Sequence, residues 1–297
     1  MKDIAFLITA YTEPKTLKNL IDALEDSKVD FYIHIDKKVD DSKFKDLLKD
    51  YNNVFFIPQN LRVKVYWGGY SQVIMQKNLI NYMLSSNDKY KRIVNLTGTD
   101  YPIMSKNEMY KKFLDMEVEY IYGFDITNEE YIKNDIRPPH KNRYVYYYSY
   151  DNNKYIRGIF NRLKIKRTKR YREPEFNVYY GSEYWALTYE TLKNIIEQYE
   201  KNLRIQKLLK HTFTPSESWI HTIYFNMPNH KGRIFSDWEH RELHMLSPIT
   251  YFYYKGHVKV LDEEDFENII SSDKIFARKV IVGKSDTLIK KLKEKNG

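Results

Sequence analysis

The chain has 297 residues, 42% of them apolar and 16% aromatic, with 28 tyrosines, which supplies a buried core and excludes a disordered chain. The absence of cysteine excludes disulfides, thiolate metal sites and cysteine nucleophiles. Against 40 Asp and Glu, 49 Lys and Arg leave a net charge of +9, and nine of these cations lie between Lys154 and Arg172 with no acid among them, so the excess is one local patch.

The N-terminal MKDIAFLITAYTEPK has a short apolar run, an acid at position 3 and no small-residue cleavage site, and reads as a first strand rather than a signal peptide. No stretch approaches the roughly 18 apolar residues of a membrane span, and a soluble, cytoplasmic protein is expected. After IAFLITA (4–10), PKTLKNLIDALED sets Leu17, Leu20, Ile21 and Leu24 at helical spacing, with Pro14 in the first turn where proline is tolerated. FYIHID (31–36) is a second apolar, strand-like run. The pattern repeats through SKFKDLLKDY, NVFFIP, SQVIMQKNLINYML and RIVNLTG. Strand alternating with helix predicts an α/β protein with a mostly parallel, helix-covered sheet. Ligands of such sheets bind at the carboxyl ends of the strands. This singles out Ala10-Tyr11-Thr12, His34-Ile35-Asp36, Tyr66-Trp67-Gly68-Gly69 and Thr97-Gly98-Thr99-Asp100, although each motif alone also suits an ordinary turn.

Beyond about residue 125 the pattern is less regular. YVYYYSY (144–150) leads into the basic segment, where Tyr155, Ile156, Ile159, Phe160 and Leu163 form an apolar stripe on a short helix. EYWALTYETLKNIIEQY reads as a strand followed by a helix. PSESWIHTIYFN, EEDFENII, Ala277-Arg278-Lys279 and the basic tail IKKLKEK complete the chain. No linker or repeat divides it, and a single domain over 1–297 is expected.

Glu217 stands between a proline and a tryptophan at a predicted helix start. On spacing alone it has two readings. With Thr214 or Ser216 as cap, it complements the positive end of the helix dipole; held beside a pocket, it accepts a proton from a substrate hydroxyl. There is no Walker sequence, no dinucleotide fingerprint and no Asp-X-Asp; His34-X-Asp36 is the nearest two-ligand pair, and it equally suits a hydrogen-bonded turn. A bound diphosphate would therefore be neutralised by protein cations. Lys255, His257, Lys259, Arg278 and Lys279 are the candidates, against the alternative of a solvated basic surface. The 154–172 segment has three readings: phosphate contacts with nucleic acid, an anionic membrane surface, or a solvated helix with a core-facing stripe.

Together FYIHIDKK, VYWGGYSQV, NLTGTDYPI, GSEYWALT, TPSESWIHT and HVKVLDEEDFENIISSDKIFARK resemble the core-2/I-branching enzyme family, glycosyltransferase family 14. The resemblance runs in family order from residue 4 to 279. It implies a GT-A-type fold with a nucleotide-binding half (1–125) and an acceptor and catalytic half (126–297). It also implies inverting, metal-independent transfer from a UDP-sugar, with no cofactor beyond the substrate. The family's Ser/Thr-Pro-X-Glu motif, here Thr214-Pro215-Ser216-Glu217, makes Glu217 the general base. Lys279 matches one diphosphate-binding cation, and the second falls among His257, Lys259 and Lys255, with Arg278 beside Lys279. The resemblance further assigns Ala10, His34 and Asp36 to the uridine, Tyr66 to the donor, Gly181, Ser182 and Glu183 to the acceptor border, and Trp238 to the sugar or acceptor.

The expected function is thus β-linked transfer of a sugar, N-acetylglucosamine first among candidates, to a glycan or lipid-linked saccharide at the inner face of the membrane. Peripheral membrane association through 154–172 is expected, and nucleic acid is not. The alternatives are a nucleic-acid-binding protein using that segment, or an inactive sugar-binding module.

Overall fold

The computed structural model describes residues 2–86, 88–128, 130, 140–151, 154–235, 244–254 and 256–296. The strands are β1 (Ile4–Ala10), β2 (Val29–Ile35), β3 (Val54–Phe56), β4 (Arg92–Thr97), β5 (Asp100–Pro102), β6 (Tyr122–Asp125), β7 (Tyr179–Tyr180), β8 (Ala186–Thr188), β9 (Arg233–Phe235), β10 (Thr250–Phe252) and β11 (Phe276–Arg278). The central sheet has the order β3-β2-β1-β4-β8, with β8 antiparallel to β4 and the other neighbours parallel.

Strand β1 is apolar and buried from Ile4 to Ile8 because both of its faces are covered there, as in parallel sheets generally. Successive side chains alternate between the faces. Ile4, Phe6, Ile8 and Ala10 pack with Leu17, Leu20, Ile21 and Leu24 of helix α1 (Pro14–Leu24) and with Phe44 and Leu48 of α2 (Ser42–Leu48). Ala5 and Leu7 join Val73, Leu79, Ile80 and Met83 of α3 (Ser71–Leu84) on the other face. The α/β class, the parallel sheet and helices on both faces agree with the sequence reading, and β1 and α3 have the predicted boundaries.

Two small sheets frame the strand ends. β11 pairs with β10 and, antiparallel, with β5, so that Arg278 lies opposite Asp100. β6 sits between β7 and β9, and β7 leads directly into Gly181. The segment around Glu217 is not one helix. A 3-10 turn, Pro215–Glu217, precedes the helix Trp219–Phe225. Of the stripe on the helix Lys154–Leu163, Phe160 is half-buried, whereas Tyr155, Ile159 and Leu163 are exposed and do not face a core. Ile156 lies outside the described side chains.

Candidate active site

At the ends of β1 and β2 the backbone holds the polar side chains. The amide of Asp36 donates to the carbonyl of Ala10 at 3.0 Å, and the amide of Val63 donates to Nε2 of His34 at 3.0 Å. Burial pushes the His34 imidazole down to about 4, so it is neutral at physiological pH and acts as an acceptor. The Asp36 carboxylate accepts the Lys38 amide at 2.8 Å. The Lys38 ammonium lies 3.5 Å from the same carboxylate, 2.5 Å from the Val65 carbonyl and 4.9 Å from the Tyr66 ring centroid. Ala10, His34, Asp36 and Tyr66 therefore gather in one place, and Lys38, which the sequence did not single out, links the last two.

The turn after Tyr66 reaches toward Glu217. Gly68 adopts φ 79°, a left-handed conformation suited to glycine, and its carbonyl accepts the Thr214 amide at 3.0 Å. Thr214 itself has φ 46°, uncommon for a β-branched residue. It redirects the chain into Pro215, which opens the 3-10 turn, and neither Thr214 nor the residue before the next helix makes a side-chain cap. The Glu217 side chain is turned instead to Arg143, whose Nη1 donates to Glu217 Oε2 at 2.6 Å and also to the Thr214 hydroxyl. The Arg143 guanidinium is itself fixed by rings, 4.4 Å from the Tyr180 centroid and 5.5 Å from that of Phe213. A charge-assisted bond from a stacked arginine orients a carboxylate more firmly than a mobile lysine would.

The Gly181 amide donates to the Glu217 carbonyl at 2.8 Å, which ties the end of β7 to the turn. A Cβ at Gly181 would stand 2.3 Å from the Tyr122 carbonyl oxygen and 2.4 Å from the His221 ring, so only glycine fits. Ser182 is fully buried. Glu183 accepts from Gln76 Nε2 at 3.2 Å, while Gln76 Oε1 accepts the Trp219 indole N–H at 2.5 Å. Asn95 of β4 holds the Glu183 carbonyl at 2.9 Å. Burial, reinforced by the charge of Glu217, pushes the Glu183 carboxyl up to about 7. The site thus pairs two carboxylates in unlike surroundings, one bound to a guanidinium and one enclosed beside an amide.

The cations come from the C-terminal segment. Arg278 lies 5.2 Å from the Tyr184 ring centroid, and its charge acts on both Asp100 and Glu183. Its buried Nε has no hydrogen-bond partner among the described residues, a costly state for a guanidinium nitrogen. Asp100, pushed up to about 6 by burial, accepts the Thr97 amide at 2.7 Å and closes the turn after β4. Lys279 is paired by backbone with Lys259, its amide donating to the Lys259 carbonyl at 3.2 Å, so the two lysines stand on adjacent segments. Burial and then the charge of Arg278 lower the Lys279 ammonium, whereas Lys259 is held by Asp265 at 2.8 Å and Asp262 at 3.5 Å. His257 is exposed. Trp238 and Lys255 lie outside the described residues. Among the described residues no three His, Asp or Glu side chains gather as metal ligands.

Arg143, Gln76 and Lys38 were not found from sequence. Trp67 was noted only as part of its motif; it stands 70% exposed, its ring 5.6 Å from Phe213 and 6.5 Å from Tyr150. No local spacing signals Arg143, since its partner lies 74 residues away.

A parallel α/β sheet whose strand ends gather a guanidinium-held carboxylate, a second enclosed carboxylate and fixed cations presents a charged cluster at its carboxyl edge, where sheets of this kind hold their ligands. Comparison with known proteins gives the family: the chain matches the Core-2/I-Branching enzyme family over residues 4–269 and belongs to it. It is 25% identical over 227 residues to a human N-acetyllactosaminide beta-1,6-N-acetylglucosaminyl-transferase, covering 73% of this chain and 51% of that protein. It is 21% identical over 221 residues to a rat beta-1,3-galactosyl-O-glycosyl-glycoprotein beta-1,6-N-acetylglucosaminyltransferase 3, covering 72% and 45%. The chain thus spans about half the length of these curated relatives. Among solved structures it is similar to the 4-diphosphocytidyl-2C-methyl-D-erythritol synthase of Anaerococcus prevotii, with a TM-score of 0.38 and 12% identity over 79% of this chain and 86% of that one.

Proposed function

We propose that the protein is a metal-independent, inverting glycosyltransferase that moves a sugar from a UDP-sugar to a glycan hydroxyl, with Glu217 as general base. The observation that carries this reading is the Arg143–Glu217 pair at 2.6 Å, which turns the carboxylate to a guanidinium at the edge of the sheet instead of leaving it to cap a helix. The names of the two relatives favour N-acetylglucosamine as the sugar.

In this mechanism Arg143 occupies Oε2 and Oε1 takes the proton of the acceptor hydroxyl. The acceptor oxygen attacks the anomeric carbon as the bond to the diphosphate breaks on the opposite side, and UDP leaves with that electron pair. An α-linked donor gives a β-linked product. Lys279 and Lys259 meet the charge that develops on the leaving diphosphate, and Arg278 adds its positive charge beside Lys279. Fixed cations suit this role because they need little reorganisation as the charge appears. Ala10, His34 and Asp36 hold the uridine, Tyr66 borders the donor, and Gly181, Ser182 and Glu183 border the acceptor. The exposed Trp67 ring offers an apolar wall for an acceptor sugar.

The test joins UDP calorimetry in EDTA with turnover of UDP-N-acetylglucosamine on glycan acceptors. Glu217→Gln is expected to reduce turnover by about 10²- to 10⁴-fold, the usual range for a general base, while UDP binding stays within a few-fold of the parent. Equal turnover in parent and variant would remove Glu217 from the chemistry. UDP binding that appears only when Mn²⁺ is added would overturn the metal-free part of the reading.

A further inference from the structure

The helix Lys154–Leu163 carries apolar side chains outward. Tyr155, Ile159 and Leu163 recur at intervals of four, which puts them on one helical face, and they are 71%, 56% and 62% exposed. Ile165 just beyond is exposed as well. Scattered surface hydrophobics are ordinary, but a contiguous stripe marks a contact surface. Around it stand the exposed cations Arg162, Lys164, Lys166, Lys169 and Arg170, and the sequence places no acid between residues 154 and 172.

The excursion that carries this helix is firmly rooted. Tyr146 bridges to Lys166, the Tyr147 amide donates to the Ile165 carbonyl at 2.9 Å, and the Arg167 amide to the Val145 carbonyl at 2.9 Å. Among the described cations of the segment Arg167 is buried. It donates to the carbonyls of Leu208 at 2.8 Å and Lys207 at 2.9 Å, at the C-terminal end of the helix Leu203–Leu209, where a positive charge is favoured. The same root continues into the Glu217 site: the Phe213 amide donates to the Arg143 carbonyl at 2.8 Å.

We infer that this helix docks on an anionic bilayer surface. Its aliphatic stripe enters the acyl boundary and its cations meet lipid phosphates, as interfacial amphipathic helices do. No helix among the described residues is long and apolar enough to cross a membrane; this one, of ten residues, lies along the surface. Charge complementarity selects the occupant. Nucleic acid would use the cations but gain nothing from Ile159 and Leu163. A second copy of the chain would bring two acid-free basic segments together, which like-charge repulsion opposes. Docking sets the Glu217 site beside the membrane, where a lipid-linked acceptor would meet it; that consequence rests on the function proposed above, whereas the docking itself does not.

Co-sedimentation of the whole protein with vesicles tests the inference. Binding to phosphatidylcholine vesicles containing phosphatidylglycerol should exceed binding to phosphatidylcholine alone by about tenfold or more and weaken with added salt. The double variants Ile159→Glu/Leu163→Glu and Lys164→Gln/Lys166→Gln should each lose most of that binding while keeping parental UDP affinity, which shows that their fold and donor site are intact. Equal binding to both vesicle types, or a stripe variant that still binds, overturns the proposal. So does tight binding of an RNA or DNA oligonucleotide that the stripe variant retains, or a dimer in sedimentation that Leu163→Glu dissociates.

Discussion

Where β1 and β2 end, polar side chains are answered by backbone amides: His34 by Val63 and Asp36 by Lys38. Around Glu217 they are answered by other side chains far along the sequence, with Arg143 74 residues from Glu217, Gln76 107 from Glu183 and Trp219 143 from Gln76. The first arrangement follows from the path of the chain and is complete once the sheet forms. The second exists only when distant segments meet, and each member sets the charge state or orientation of the next. Substitutions should separate the two accordingly: changes beside Glu217 should alter turnover or its pH dependence, and changes among the cations should alter donor affinity.

After Glu217 itself, the largest effect is expected at Arg143. Arg143→Ala removes the donor from Glu217 Oε2 and from the Thr214 hydroxyl and leaves a half-buried carboxylate without its partner. Turnover should fall by about 10²-fold, the scale of a misplaced catalytic group, with UDP affinity within a few-fold of the parent. Arg143→Lys should recover little of this, because an ammonium lacks the planar face that stacks on Tyr180 and Phe213 and fixes the donor in place. Recovery to parental kcat in the lysine variant would show that charge alone matters there and would break the distinction just drawn.

Gly181 and Lys279 test the two sides at smaller magnitudes. Gly181→Ala forces a methyl against the Tyr122 carbonyl and the His221 ring, and the unfolding free energy should drop by about 1–3 kcal/mol, the ordinary cost of overpacking. Denaturant titration measures it, and an unchanged midpoint would mean that β7 is free to shift. Lys279→Ala should weaken UDP by about tenfold, or ~1.4 kcal/mol, in calorimetry with EDTA present, and should leave the stability nearly as it was. If Lys279→Ala leaves UDP affinity unchanged but Lys259→Ala lowers it, the diphosphate lies toward Asp265 instead.

The same division explains what was legible in the sequence. β1 reads directly because a strand covered on both faces carries an unbroken apolar run, here Ile4 to Ile8, and α1 because its buried residues repeat at helical spacing. The strand-end motifs read as a group because a parallel sheet presents its carboxyl ends to ligands. Glu217 was visible as a residue, but its cap-or-base ambiguity was local, and only Arg143 and Thr214 in place distinguish the two geometries. The stripe of 154–163 was equally visible, yet periodicity gives the face without saying what lies against it; the exposure of Ile159 and Leu163 had to come from the fold.

Glu183 provides the finest test, because its titration can be removed by a single near-isosteric substitution. Burial, with the charge of Glu217 adding to it, holds its carboxyl near 7, well above the ordinary value of about 4.3. The folded chain therefore binds this proton more tightly than the unfolded chain does. Its contribution is most favourable below the unfolded carboxylate range and is lost as pH rises through about 7. Glu183→Gln removes the titration while keeping a polar partner for Gln76. The thermal midpoint of the variant should gain on that of the parent between about pH 5 and pH 8, and the turnover profile of the variant should lose an inflection near neutrality. His34 and His221, pushed down to about 4 and about 3 by burial, remain neutral across that window. Asp100, raised to about 6, shifts stability in the same direction but is present in both proteins and cancels in the difference. A difference that stays flat with pH would mean that Glu183 is already ionised throughout, and its enclosure beside Glu217 would have to be abandoned.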